Sequence, residues 1–284
     1  MTGLFGKKKE ISAAEEARTA EIKEMNGLLL EDQPAYKEDA ASYSDDYRSQ
    51  RRLMRALMNV RYPKVIPVAL QKKQDQILSE ERQSKGIVRS ADIPASPKDP
   101  RLAVWQGDIT RLGVDAIVNA ANSQMLGCFV PNHGCIDNAI HSAAGLQLRQ
   151  ECYEYMKHQM NVHGSDYQEP TGSAMMTDGY NLPAKHVIHT VGPIVQFEVT
   201  DKLRADLASC YKSCLRLADG AGLESIAFCC ISTGVFHFPH REAAEIAVRT
   251  VVEYLDENPD CSVKKVIFNV FNDRDLAIYE ALLG

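Results

Sequence analysis

The sequence predicts an α/β domain over residues 101–284, with a largely parallel sheet and helices on its faces, behind a helical extension. Two observations predict it. From residue 102 onward the short apolar runs LAVWQ, VDAIVNA, HVIHTVG, SIAFCCIS and VKKVIFNVF alternate with helix-like stretches that begin near residues 136, 202, 241 and 274. Such alternation is what strand-helix-strand units produce. Before residue 100 the texture differs: it is charge-rich, periodic at helical spacing and interrupted by Pro34, Pro63 and Pro67.

Composition narrows the partners. A chain of 284 residues with 45% apolar content can bury a full core. Its net charge of −6 offers no basic face for duplex nucleic acid or an anionic membrane, so neither is an expected partner. No apolar run approaches a membrane span. The opening MTGLFGKKKE has no signal-peptide core, and Thr2 rather than glycine follows the first methionine, so neither export nor myristoylation is expected. Eight irregularly spaced cysteines do not form a disulfide framework. A reducing, cytoplasmic setting follows, in which thiolates stay available for metal. No feature asks for an oligomer, and a monomer is the default expectation.

Residues 1–33 form a charged segment. Ala13, Ala17 and Ala20 recur at helical spacing there, giving a weakly amphipathic helix or a frayed tail. Residues 34–100 make the helical extension and its linker. Over residues 47–59, Leu53, Met54, Leu57 and Met58 share one face, with Arg51, Arg52 and Arg55 expected in solvent. A second helix covers residues 70–78, and residues 90–100, with three prolines, lead into the next domain. The extension is expected to carry packing and no chemistry.

In parallel sheets ligands sit beyond the carboxyl ends of the strands, and the informative residues fall there. The first strand ends in WQGDIT, where Asp108 is either a turn cap or an acceptor for an amine such as an adenine edge. The second ends in Asn119-Ala120-Ala121-Asn122, whose amides suit ribose hydroxyls or a water. After the strand at residues 225–231, Ser232-Thr233-Gly234-Val235-Phe236 runs toward a helix near residue 240, placing free backbone N–H groups where a diphosphate can bind. The Walker lysine and the G-x-G-x-x-G spacing are both absent. His237 either touches a phosphate or packs with its phenylalanine neighbours.

The stretch GCFVPNHGCIDNAIH, residues 127–141, sets Cys128, His133 and Cys135 in one loop. Thiolate with imidazole favours zinc, and three protein ligands leave a position open for water or substrate, as in catalytic rather than structural sites. Other cysteines and histidines carry less. Cys210 and Cys214 sit one helical turn apart among apolar neighbours, Cys229 and Cys230 read as buried strand, and His186 and His189 have no ligand spacing, although His189 is placed to brace a neighbouring loop.

In this order, QGDIT, NAAN, HTVGP and STGVFHFP resemble the macrodomain, the ADP-ribose-binding three-layer α/β/α sandwich with a mixed, largely parallel sheet. Where most hydrolytic macrodomains carry a glycine run, this chain has residues 128–135, and with the helical extension it is similar to the zinc-dependent macrodomains. The resemblance implies a protein-ADP-ribose hydrolase with zinc on Cys128, His133 and Cys135, acting on mono-ADP-ribose attached to acidic side chains. It also implies a functional link to sirtuin-type ADP-ribosyltransferases, which accompany some bacterial and fungal relatives. By the same resemblance Asp108 and Ile109 hold the adenine, and residues 232–236 the diphosphate. Asn119, Asn122, Gly192 and Pro193 surround the distal ribose, Phe271 and Asn272 cover the adenine, and Asp137 with Asn122 serves catalysis by orienting or deprotonating the nucleophile. A non-catalytic ADP-ribose reader and an O-acetyl-ADP-ribose deacetylase use the same pocket and stand as alternatives.

Overall fold

Helix-forming sequence, rich in Ala, Glu, Leu and Lys with few β-branched residues, dominates the start of the computed structural model, which describes residues 13–284. Helix α1 (Ala13–Asp32) buries Ile22, Met25 and Leu29, so over those residues the charged segment is a docked helix. The remainder of that expectation, residues 1–12, lies outside the described residues. A short α2 (Lys37–Ala40) precedes α3 (Tyr47–Val60), which Asp46 caps by accepting from Ser49 N at 3.0 Å. Helix α4 (Val68–Lys85) begins at Val68, just past Pro67, and outlasts the predicted span. Leu53, Met54 and Leu57 of α3 meet Leu70 and Ile77 of α4 and the α1 residues in a second core, which Leu146 of the sheet domain joins. Asn26 bonds Gln50 Oε1 at 3.0 Å, and Arg61 pairs with Asp32 at 2.8 Å.

The remaining elements follow in order. A two-residue β1 (Val88–Arg89) pairs with β3 (Leu112–Gly113), and between them lies β2 (Leu102–Gln106). Then come β4 (Ala116–Ala121), α5 (Ile136–Ala144) and α6 (Leu146–His163). β5 (Ala174–Asp178), β6 (His186–Val191), α7 (Asp201–Gly220) and β7 (Ser225–Phe228) follow. The chain closes with α8 (His240–Glu257), β8 (Lys265–Val270) and α9 (Asp273–Leu283).

Six strands form one sheet in the order β2-β8-β7-β4-β6-β5, parallel except for the antiparallel edge strand β5. Connections through α5 and α6 lead one way across the sheet and those through α7 and α8 the other. Right-handed crossovers therefore set the two groups on opposite faces and produce three layers. Val118, Val187, Ile188, Ile226 and Ile267 are fully shielded, as central parallel strands require. All parallel strands end at one rim, which gathers the loops after residues 106, 121, 191, 228 and 270. Among the described residues no helix is long and apolar enough to cross a membrane.

Two departures from expectation concern the extension and β7. Arg55 is not solvated: it is half-buried and bonded to the loop before α5. β7 stops at Phe228, so Cys229 and Cys230 lie beyond the strand on the floor of a cleft.

Candidate active site

At the rim of the sheet lies a cleft of about 620 Å³, within the roughly 300–1,000 Å³ of small-molecule sites. One wall is the loop between β7 and α8. Ser232 adopts φ +65°, a conformation unusual for a non-glycine residue, and the turn closes when Phe238 N donates to Ser232 O at 2.9 Å. The N–H groups of Gly234, Val235 and Phe236 find no acceptor among the described residues, and all three residues line the cleft. With the uncapped N-terminus of α8 beside them, they present donors and a positive dipole end to an anion. Val195 N donates to Phe236 O at 2.9 Å, tying this loop to the segment after β6.

Asp108 and Ile109 line another part of the cleft. Asp108 is the turn cap that the sequence allowed. Its Oδ1 caps a 3-10 turn by accepting from Thr110 N at 3.0 Å and Thr110 Oγ1 at 2.7 Å, while Oδ2 faces Lys85 at 3.9 Å. Phe271 is 80% exposed and lines the cleft, which fits a lip over a flat ligand. Asn272 lines it too but spends its side chain capping α9, accepting from Asp275 N at 2.9 Å.

The loop from β4 to α5 forms the remaining wall. Gly127, at φ +77°, passes over the His141 ring, where a Cβ would lie 2.9 Å from the ring carbons. The donor atoms of Cys128, His133 and Cys135 lie within 4.8 Å of one another, with Cys128 Sγ 3.5 Å from His133 Nδ1. His133 and Cys135 line the cleft. Cys135 also caps α5, its sulfur accepting from Asn138 N at 3.4 Å. Burial pushes its thiol up to about 11, against the pull of that N–H and with the help of Cys128 and Asp137. Two sulfurs and an imidazole converging on one point, half-buried and open to a cleft, fit a thiophilic divalent ion, which would draw off the thiol protons.

Several expected residues lie elsewhere. Asp137 does not face the cleft. The residue is 5% exposed, and its carboxylate accepts from Asn119 Nδ2 at 2.8 Å and lies 3.4 Å from His141 Nε2. Burial raises it to about 6 despite the Asn119 donor and the charge of Arg149. Held in this way, the carboxylate orients the start of α5. Asn119 is fully buried behind it. Asn122 shapes a turn, accepting from Gln124 N at 3.0 Å, and does not line the cleft. Gly192 and Pro193 are buried, Gly192 directly behind Ser232. His237 is exposed and off the cleft wall.

A second group of donors, His141, Cys152 and His189, is fully buried. His189 is already committed, with Nδ1 accepting from Asn119 at 3.1 Å and Nε2 facing Thr177 Oγ1 at 3.1 Å, so it braces the core under the loop. Burial depresses His189 to about 3, and His141 is held well below its ordinary value by burial and by the charges of His189 and Arg149. The sign follows. Below about pH 6.5 the unfolded chain binds protons that the folded imidazoles refuse, so stability falls as pH drops. Asp137, raised to about 6, opposes this only between about pH 6 and 3.8. In urea titrations of metal-free protein, His189→Gln should flatten the loss between pH 6.5 and 5 by up to about 1.4 kcal/mol per pH unit. Equal slopes in the two proteins would mean that His189 charges freely in the folded state.

Sequence reasoning missed the pair of His240 Nδ1 and Asp275 Oδ1, which lines the cleft beside Asn272. The two lie 35 positions apart, and nothing local marks them.

Comparison with known proteins places this geometry. Residues 118–247 match the Macro domain. A protein-ADP-ribose hydrolase of Treponema medium is 47% identical over 90% of this chain and 95% of its own length. The chain belongs to the macrodomain family. Another protein-ADP-ribose hydrolase, from Staphylococcus aureus strain MRSA252, is 56% identical over 64% of this macrodomain chain and 66% of its own length. A solved Trypanosoma brucei macrodomain in complex with ADP-ribose superposes with a TM-score of 0.61 at 32% identity, covering 78% of this chain and 92% of that one. The cleft at the strand ends, with the Cys-His-Cys loop on its wall, thus belongs to a macrodomain.

Proposed function

We propose that this macrodomain is a zinc-dependent protein-ADP-ribose hydrolase that releases mono-ADP-ribose from Asp and Glu side chains. The observation that carries the reading is the cluster of Cys128, His133 and Cys135, of which His133 and Cys135 line the same cleft as residues 232–236. The Treponema medium and Staphylococcus aureus relatives, named protein-ADP-ribose hydrolases, support it.

The chain's own groups do most of the work. Backbone N–H groups of residues 234–236 and the α8 terminus hold the diphosphate, while Asp108 Oδ2, which has no hydrogen-bond donor among the described residues and only the Lys85 ammonium 3.9 Å away, accepts from the adenine amine and Phe271 covers the ring. With both phosphates fixed, the distal ribose and its ester are delivered to the loop wall. Zinc, when bound by the three donors, would polarise a substrate oxygen there. Two thiolates neutralise the dication, so polarisation is favoured over a strongly acidified water. An acyl ester to a carboxyl is the linkage such a centre suits, because its carbonyl needs polarising and its alkoxide leaves readily. Asp137 contributes by fixing the first turn of α5, which Cys135 caps.

The test is release of ADP-ribose from Asp- or Glu-linked mono-ADP-ribosylated protein, followed with and without a zinc chelator, with O-acetyl-ADP-ribose in parallel. Release that stops on chelation and returns with added zinc is the expected result. Binding without release identifies a reader, and cleavage of O-acetyl-ADP-ribose alone identifies a deacetylase. A sirtuin-type ADP-ribosyltransferase would then be the class of enzyme that supplies the substrate.

A further inference from the structure

The loop that brings Cys128, His133 and Cys135 together has little to hold it from within. No side chain from residue 129 to residue 136 is fully buried, and its internal backbone bond is His133 N to Val130 O at 3.2 Å. Its remaining ties run outward, and several end on helix α3 of the extension. Arg55 Nη2 donates to His133 O at 3.0 Å. The same guanidinium grips Asn138 Oδ1 through Nε at 3.0 Å and Nη2 at 2.7 Å, while Asn138 Nδ2 donates to Val130 O at 3.0 Å. Asn132 N donates to Asn59 Oδ1 at 3.0 Å, which steadies Asn132 at φ +54°.

Arg149 completes the link. Its Nη1 donates to the carbonyls of Met58, Asn59 and Arg61 at 3.0, 2.7 and 2.9 Å, which would otherwise be left open at the end of α3. Its Nη2 reaches Cys128 O at 3.3 Å, and its guanidinium lies 4.3 Å from the centre of the Phe129 ring. Tyr62, just beyond α3, stacks with the Phe129 ring itself, the centroids 6.2 Å apart.

We infer that Arg55 is a positioning residue for the metal loop, and that the helical extension exists in part to set the spacing of the Cys-His-Cys donors. This rests on the zinc reading above. A planar fork suits the task better than a lysine, because one group must span a backbone carbonyl and a side-chain oxygen at once. Its charge also lies close enough to interact with both Cys128 and Cys135. Arg51, one turn earlier, pairs with Glu81 inside the extension and has no bond to the loop among the described residues. It is therefore the matched control.

The experiment uses the full chain as wild type, Arg55→Met, Arg55→Lys and Arg51→Met. Zinc affinity is read by competition with a chromogenic chelator, donor geometry by the visible spectrum of the cobalt-substituted protein, and stability by the thermal midpoint without metal. Arg55→Met should bind zinc about 10- to 100-fold more weakly and shift the cobalt bands. Arg55→Lys should fall between it and wild type, and it carries the comparison if Arg55→Met does not fold. Arg51→Met should lose thermal stability yet keep its zinc affinity within about twofold. Wild-type affinity in Arg55→Met, or losses in both arginine variants that simply track stability, would overturn the inference while leaving the hydrolase reading intact. A wild-type chain that takes up no zinc and still releases ADP-ribose would overturn that reading and this one with it.

Discussion

Replacing Cys135 with alanine is expected to abolish release of ADP-ribose from modified protein while ADP-ribose itself still binds. Cys135 supplies one of the two sulfurs, caps α5 through Asn138 N and lines the cleft. Two remaining donors are too few to retain the ion, and the rate should fall by at least the roughly 10²- to 10³-fold that removal of a single charge-stabilising group costs. Loss of the cap alone should cost only about 1 kcal/mol of stability. Cys135→Ser separates the two effects, since a hydroxyl keeps the cap and is a poor ligand for zinc. The diphosphate loop belongs to a different crossover, so calorimetric affinity for ADP-ribose should change only a few-fold. Wild-type turnover in a variant shown by elemental analysis to be free of metal would remove zinc from the mechanism.

Gly192→Ala should act in the opposite sense, on binding first. A Cβ at Gly192 would fall inside the contact distance of Ser232 Oγ and within 2.9 Å of Ile231 Cγ2. Ser232 has little room to yield, because its hydroxyl is buried and its backbone sits at φ +65°. The loop that holds Gly234, Val235 and Phe236 must therefore move. A shift of about 1 Å misplaces a bound group badly enough to lose on the order of 10²-fold in rate. ADP-ribose affinity should drop at least about tenfold, or roughly 1.4 kcal/mol. The second variant Gly192→Ala/Ser232→Gly should recover most of it, since glycine removes the clashing hydroxyl and tolerates positive φ. If the double variant binds no better than the single one, the contact with Ser232 is not the cause.

How far the sequence led depends on the residue. The α3 stripe of Leu53, Met54, Leu57 and Met58 is buried as its spacing requires. β5 went unread because AMMTD is too short and too polar at its end to declare itself, and its strand character comes from pairing with β6. The loop trio was legible because its donors are close in sequence, and Val235, Phe236 and Phe271 line the cleft because strand ends must. The direction of the Asp137 side chain was not legible, for the opposite reason. Its type and position at the start of α5 were plain, but whether its carboxylate turned to the cleft or to Asn119 depended on how α5 docks against β4. Arg55 shows the same limit, its partners lying 78 and 83 positions away.

By itself the amino-acid order determined the α/β pattern, the rim on which a ligand sits, and a sulfur-rich loop within reach of it. These follow from apolar periodicity and from ligand spacing, which are local properties of the chain. Only the tertiary structure decided that Asp137 is buried and that Asn122 and Gly192 serve turns and close packing. It alone decided that His240 meets Asp275, and that the extension grips the loop through Arg55 and Asn59. Side-chain direction and contacts across tens of residues are set by how helices dock onto the sheet, and no local pattern encodes that docking.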